Sequence, residues 1–195
     1  MGRRCFDHRG GARVARKRRN AATLLANEAE NGMSLTVQIE PPRGATPSVS
    51  YRWDTDTDIL SAQLDGAAPE GPAATVELQG LDGSWMILDV RGGRIRGVEV
   101  AVWPDVRKLR TLQPPAAEPG DVVLPARHAS VGASAVDSPL SAEVDDPERV
   151  FHFRFGPGPE SRAIRVASDM LVDVEPSGTV AGIWFLNVPP FPLDQ

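Results

Sequence analysis

"SWMILDVRGGRIRGVEVAVWP" (residues 84–104) and "SDMLVDVEPSGTVAGIWFLNVPP" (residues 168–190) decide how this chain folds. Each opens with an apolar triplet, Met86-Ile87-Leu88 or Met170-Leu171-Val172, that runs into Asp-Val at Asp89 or Asp173. Turn residues follow, then an apolar residue, a spacer and a glycine, Gly97 or Gly182, with β-branched Val98 or Ile183 behind it. Self-similarity of this kind marks a repeated structural unit. The triplets are apolar on both faces, as central buried strands are.

Working outward, period 2 dominates from Ser34 onward, the signature of half-buried strands. "LTVQIE" alternates Leu35, Val37 and Ile39 with polar partners, and "VSYRWD" sets Val49, Tyr51 and Trp53 on one face. "ATVELQ" and "IRGVEVAVW" alternate in the same way. Turn-forming stretches ("PPRGATP", "DTDTD", "DGAAPEGP", "LDGS", "RGG") punctuate these runs. "DVRKLRTL" (residues 105–112) could form two helical turns, and no other segment beyond Met33 carries a helical stripe. Upstream of the triplets, "VSYRWD" is matched with "VFHFRF" and "LTVQIE" with "LSAEVD".

The expected fold is all-β: two tandem antiparallel β-meanders, residues 33–112 and 113–195, packed as one pseudo-symmetric sandwich or barrel-like unit. Neither half is large enough to shelter its own apolar face, and packing the faces together solves that problem. "GDVVLPARHASVGAS" (residues 120–134) joins the halves and offers a strand near Val122.

Charge divides the chain. Residues 1–32 hold eight basic and three acidic side chains, a net of +5, and the remainder holds 13 basic and 23 acidic, a net of −10. The first segment reads as a disordered basic extension. An acidic body makes nucleic acid an unsuitable partner except through that extension, because phosphate backbones are held by cations. The single cysteine, Cys5, rules out a disulfide framework and fits a reducing compartment such as the cytoplasm. No apolar run approaches the roughly 20 residues of a membrane helix.

Few residues suggest chemistry. Asp54, Asp56 and Asp58 alternate in "DTDTD", the spacing of oxygen ligands in a calcium loop. The sixth position, where such a loop needs glycine, is Ile59, and strand-like sequence flanks the turn. A solvated hairpin turn is the first reading and a weak cation or small-ligand site the alternative. Asp89 and Asp173 read as turn-fixing acceptors of backbone hydrogen bonds, and Gly97 and Gly182 as bulges or points of close approach. His152 falls opposite the Phe151, Phe153, Phe155 face and reads as solvated. His128 near Ser130 and Ser134 lacks the strained elbow of a hydrolase nucleophile. In "WFLNVPPFP" (residues 184–192), Trp184 and Phe191 form a candidate partner surface. No cofactor, metal or catalytic group is expected. The sequence points to a non-enzymatic module that binds a protein partner through a sheet edge or this C-terminal segment.

"YRWDTDTDILSAQL" and "MILDVRGGRIRGVEV" together resemble the opening and close of a short bacterial domain, the domain of unknown function twenty-two eighty-three, with Glu99 at its glutamate position. "LVDVEPSGTVAGI" resembles the same close with a degenerate end, Trp184 standing at the glutamate position. The resemblance implies a small β-rich fold, present as a tandem degenerate repeat, and no established activity.

Overall fold

The alternating sequence becomes strand throughout the computed structural model, which describes residues 34–67, 69–125, 133–156 and 160–192. The basic extension lies outside the described residues. No helix occurs among those described. The first half supplies β1 (Gln38–Glu40), β2 (Val49–Asp54), β3 (Ile59–Leu64), β4 (Ala73–Gln79), β5 (Trp85–Arg91) and β6 (Arg94–Val102). Four short strands follow: β7 (Val106–Leu109), β8 (Ala117–Pro119), β9 (Asp121–Val123) and β10 (Ala133–Asp137). The second half supplies β11 (Leu140–Asp145), β12 (Phe151–Phe155), β13 (Arg162–Ala167), β14 (Met170–Val174) and β15 (Val180–Phe185).

Two sheets result, and their centres share one topology. The first runs β2-β3-β6-β5-β4, antiparallel throughout. The second runs β11-β12-β15-β14-β13, again antiparallel. Even an irregularity is shared. The β5–β6 register slips after Asp89↔Gly97, and the β14–β15 register slips after Asp173↔Gly182. Each slip is a β-bulge, one residue extra on one strand, beside a glycine that lies directly opposite an aspartate.

This common order corrects the upstream match. "VSYRWD" forms β2, whose place in the second sheet is held by "LSAEVD" in β11, while "FHFRF" in β12 holds the place of β3. "LTVQIE" pairs instead through β1 with β9. "DVRKLRTL" is also not helical: β7 lies parallel to β11, so an available sheet edge overrides a weak local preference. The sequence boundary at residue 112 does not divide the sheets. β7 joins the second sheet from before it, and β9 and β10 join the first from beyond it.

The inner faces pack on each other. Leu60, Val76, Met86, Leu88 and Val100 from the first sheet share one core with Phe153, Ile164, Met170, Val172, Ile183 and Phe185 from the second. Aromatic rings stitch across it: Tyr51 lies 5.6 Å from Phe185, and Trp103 lies 5.7 Å from both Phe151 and Phe153. Tyr51 Oη donates to the Asp169 carbonyl at 2.7 Å, and Trp53 Nε1 donates to the Pro189 carbonyl at 2.9 Å. Burial pushes the Tyr51 phenol far above its ordinary range, opposed by the hydrogen bond it accepts from the Leu186 amide.

Candidate functional site: two outer faces and one free edge

With the cores aligned, side chains on the outer faces can be matched through their cross-strand partners. In the first sheet one row reads Arg52, Ser61, Glu99, Ile87, Glu77, and in the second Glu143, His152, Trp184, Leu171, Arg165. The neighbouring row places Asp89 opposite Gly97 and Asp173 opposite Gly182.

A strap covers the second face. β7 pairs parallel with β11 at one edge, and β8 pairs parallel with β13 at the other. The chain between them must cross six strand-to-strand gaps, about 29 Å at roughly 4.8 Å each. Eight Cα steps separate Leu109 from Ala117, about 26–29 Å at full extension. The crossing is therefore nearly straight, which suits Pro114 and Pro115. Leu112 and Ala117 pack on Ala163, Leu171, Trp184 and Leu186, which fixes the strap to the outer side.

Beneath it lies a buried polar cluster. His152 Nε2 is 2.9 Å from Asp173 Oδ2, and the same oxygen accepts from Trp184 Nε1 at 2.9 Å. His152 Nδ1 faces Glu143 Oε2 at 3.7 Å, and Arg107 from β7 pairs with Glu143. The imidazole stacks on the Trp184 ring with centroids 3.9 Å apart. Both ring nitrogens are turned to carboxylates, so neither is presented to a substrate. The arrangement works as a clamp that ties β7, β11, β12, β14 and β15 together.

Three expectations change here. Trp184, read as a partner surface, is 6% exposed and points into the cluster. His152, read as solvated, is 8% exposed, because the strap closes a face that alternation alone marks as polar. Asp173 accepts from side chains rather than fixing a turn through the backbone. Gly182 leaves room for this cluster: a Cβ there would lie 2.6 Å from the Phe153 carbonyl and 3.0 Å from His152 Nε2. Phe191 packs edge-on against Trp53, with centroids 5.1 Å apart, and is half-buried.

The first face is open. Asp89 is exposed and has no hydrogen-bond or ion-pair partner among the described residues. Ser61 Oγ donates a long 3.5 Å bond to Glu99. A Cβ at Gly97 would press on the ends of two side chains, Gln63 Oε1 at 2.8 Å and Asp89 Oδ2 at 3.1 Å, and would meet backbone, the Ala62 carbonyl, only at an ordinary 3.5 Å. The acidic turn closes the β2–β3 hairpin. Asp54 Oδ1 accepts from the Asp56 amide at 3.0 Å, and Asp58 adopts φ 58°, a left-handed value that Asp tolerates. Among the described residues no group of three or more His, Cys, Asp or Glu side chains is placed to hold a metal ion. His128 and Ser130 lie outside the described residues.

The edges differ in the same sense as the faces. The two cores have four outer edges, on β2, β4, β11 and β13. Three carry a parallel neighbour: β10 on β4, β7 on β11 and β8 on β13. β2 carries none among the described strands. The Asp65 amide donates to the Ser48 carbonyl at 2.9 Å, which sets the phase of the β2–β3 ladder. Hydrogen-bonded pairs alternate in an antiparallel ladder, so Ser50, Arg52 and Asp54 face β3. The N–H and C=O groups of Val49, Tyr51 and Trp53 point away from the sheet, without partners among the described residues. The places of Tyr51 and Trp53 are those of Ala142 and Val144 in β11, where β7 is bound and the Ala142 amide donates to the Asp105 carbonyl at 3.1 Å.

No helix among the described residues is long and apolar enough to cross a membrane. Set against known families and curated proteins, the chain matches no family model and no curated relative.

Proposed function

We propose that this protein is a non-enzymatic interaction module that takes up an extended segment of a partner protein along the free edge of β2. One observation carries the reading: of four equivalent core edges, three are occupied by parallel strands of the chain itself, and β2 has no neighbour on its outer side among the described residues. An unpaired edge is a template for strand addition, in which main-chain hydrogen bonds supply affinity and alternate side chains supply specificity. Each half is a degenerate copy of the small bacterial domain it resembles, a reading supported by the shared strand order and the shared bulge. The cytoplasm suits a chain with one cysteine.

A photo-crosslinking residue at Arg52, beside the edge, tests this in the cells that make the protein. A second, at Leu81, which is 86% exposed and remote from the edge, is the control. The reading predicts one partner captured from position 52 and not from 81, joined through a single extended peptide. Capture from both positions alike, or from neither, overturns it.

A further inference from the structure

The strap shows in this molecule how such a core is dressed when its edge and face are both filled. Val106–Leu109 adds to the β11 edge, residues 110–116 cross the outer face, and Leu112 packs against the apolar cluster that holds Leu171 and Trp184. Arg107 meets Glu143 at the rim. The first sheet has the same edge and the same face, both unfilled by the described residues, with different residues at the matched points. Arg52 stands where Glu143 stands, Glu99 where Trp184 stands, and Ile87 where Leu171 stands. Glu77 and Asp89 continue the face. The row a strap would cross and the aspartate beside it therefore set three carboxylates against Arg52, with Arg91 and Arg96 lying beyond Asp89, and Ile87 is half-buried at the middle of that row.

Resting on the reading of β2 as a docking edge, we infer the chemistry of the partner segment. It enters parallel to β2 with an acidic side chain beside Arg52. It then turns across the outer face as a predominantly basic, extended stretch whose cations meet Glu99, Glu77 and Asp89, with one apolar side chain seated on Ile87. The inference follows from complementarity at matched positions. Arg107 suits Glu143 in the filled copy, so its counterpart must be acidic where Arg52 replaces Glu143. Opposite charges on neighbouring strands are favourable and like charges unfavourable. Basic side chains over exposed Asp89 and half-buried Glu77 and Glu99 give an association that weakens as salt rises.

Two synthetic peptides test this against the full chain. One has the sequence of residues 106–119, VRKLRTLQPPAAEP; the other carries Arg107→Glu. Binding is followed by backbone amide NMR. The expected result is perturbation of β2 and of the outer positions on β3, β5 and β6, weakening with salt, with the Arg107→Glu peptide bound about 3-fold more tightly. Arg52→Glu in the protein should reverse the preference; Arg52 is exposed, so the variant folds. Perturbation confined to β7 and β11, self-association of the chain through β2, a preference that ignores residue 52, or no binding by either peptide overturns the inference. The docking-edge reading stands or falls separately. A crosslink at position 52 to a segment without basic character defeats the partner chemistry and leaves the edge; no crosslink there defeats both.

Discussion

The outer faces of the two sheets are built on the same strand lattice and have opposite fates. On the second, Trp184, Asp173 and His152 interlock under the strap. On the first, Glu99, Asp89 and Ser61 occupy the same points and are left to solvent or half-exposed. The backbone plan does not decide which face is covered. The connection between the halves does, because it adds β7 and β8 to the second sheet and contributes β10 to one edge of the first. A core of this type has two edges and one outer face to satisfy, and the described residues cover both edges and the face of the second sheet but only one edge of the first.

The contrast can be broken by matched substitutions. The largest effect is expected for Trp184→Ala, which removes a buried ring and leaves Asp173 short of a donor. It should cost about 3–5 kcal/mol of unfolding free energy, whereas Glu99→Ala at the matched point should stay within about 0.5 kcal/mol. Denaturant titration of both variants gives the comparison. Next are the glycines. Gly182→Ala forces a methyl against the Phe153 backbone carbonyl and should cost about 1–3 kcal/mol. Gly97→Ala meets the movable end of Gln63 and should change stability by about 0.5 kcal/mol or less. Equal costs at the two glycines would mean that the faces do not differ as described.

Leu112→Ala sharpens the role of the strap. Leu112 is half-buried, so the loss should be about 1 kcal/mol, together with a change in Trp184 fluorescence as water reaches the indole. A loss of stability without that change would place Leu112 away from the cluster. Smaller still is the effect of alkaline pH on the strand beside the free edge. Burial raises the Tyr51 pKa above its ordinary value of 10.0, so the folded chain holds that proton more tightly than the unfolded one. The resulting stabilisation is fully present below pH 10.0 and is lost as pH rises through the folded value. Melting temperature should fall above pH 10.0 in the parent protein, and Tyr51→Phe should flatten that fall.

The alternation of residues 34–190 made the strands readable, and the twin Asp–Gly segments marked the two strand pairs, β5–β6 and β14–β15, that hold the same place in the two sheets, because both are local patterns of period 2 and fixed spacing. The correspondence of β2 with β11 was not readable. "VSYRWD" and "VFHFRF" share an aromatic alternation that "LSAEVD" lacks, and the pairings that settle the matter, β3 with β6 and β12 with β15, join strands far apart in sequence. That offset also hid the clamp, since His152 and Trp184 become direct cross-strand partners only when β12 takes the place of β3. The strap was hidden for another reason. "RTLQPPAA" has the composition of a linker, and its task is set by the distance between two edges that no local pattern reports.

Backbone hydrogen exchange of the full chain measures the central difference directly. The amides of Tyr51 and Trp53 point out from the unoccupied edge, and those of Ala142 and Val144 hold the same positions beneath β7. Exchange at 51 and 53 is predicted to be faster than at 142 and 144 by a factor of about 100 or more, given that one pair is hydrogen-bonded and the other has no partner among the described residues. Comparable protection at all four amides would contradict the account.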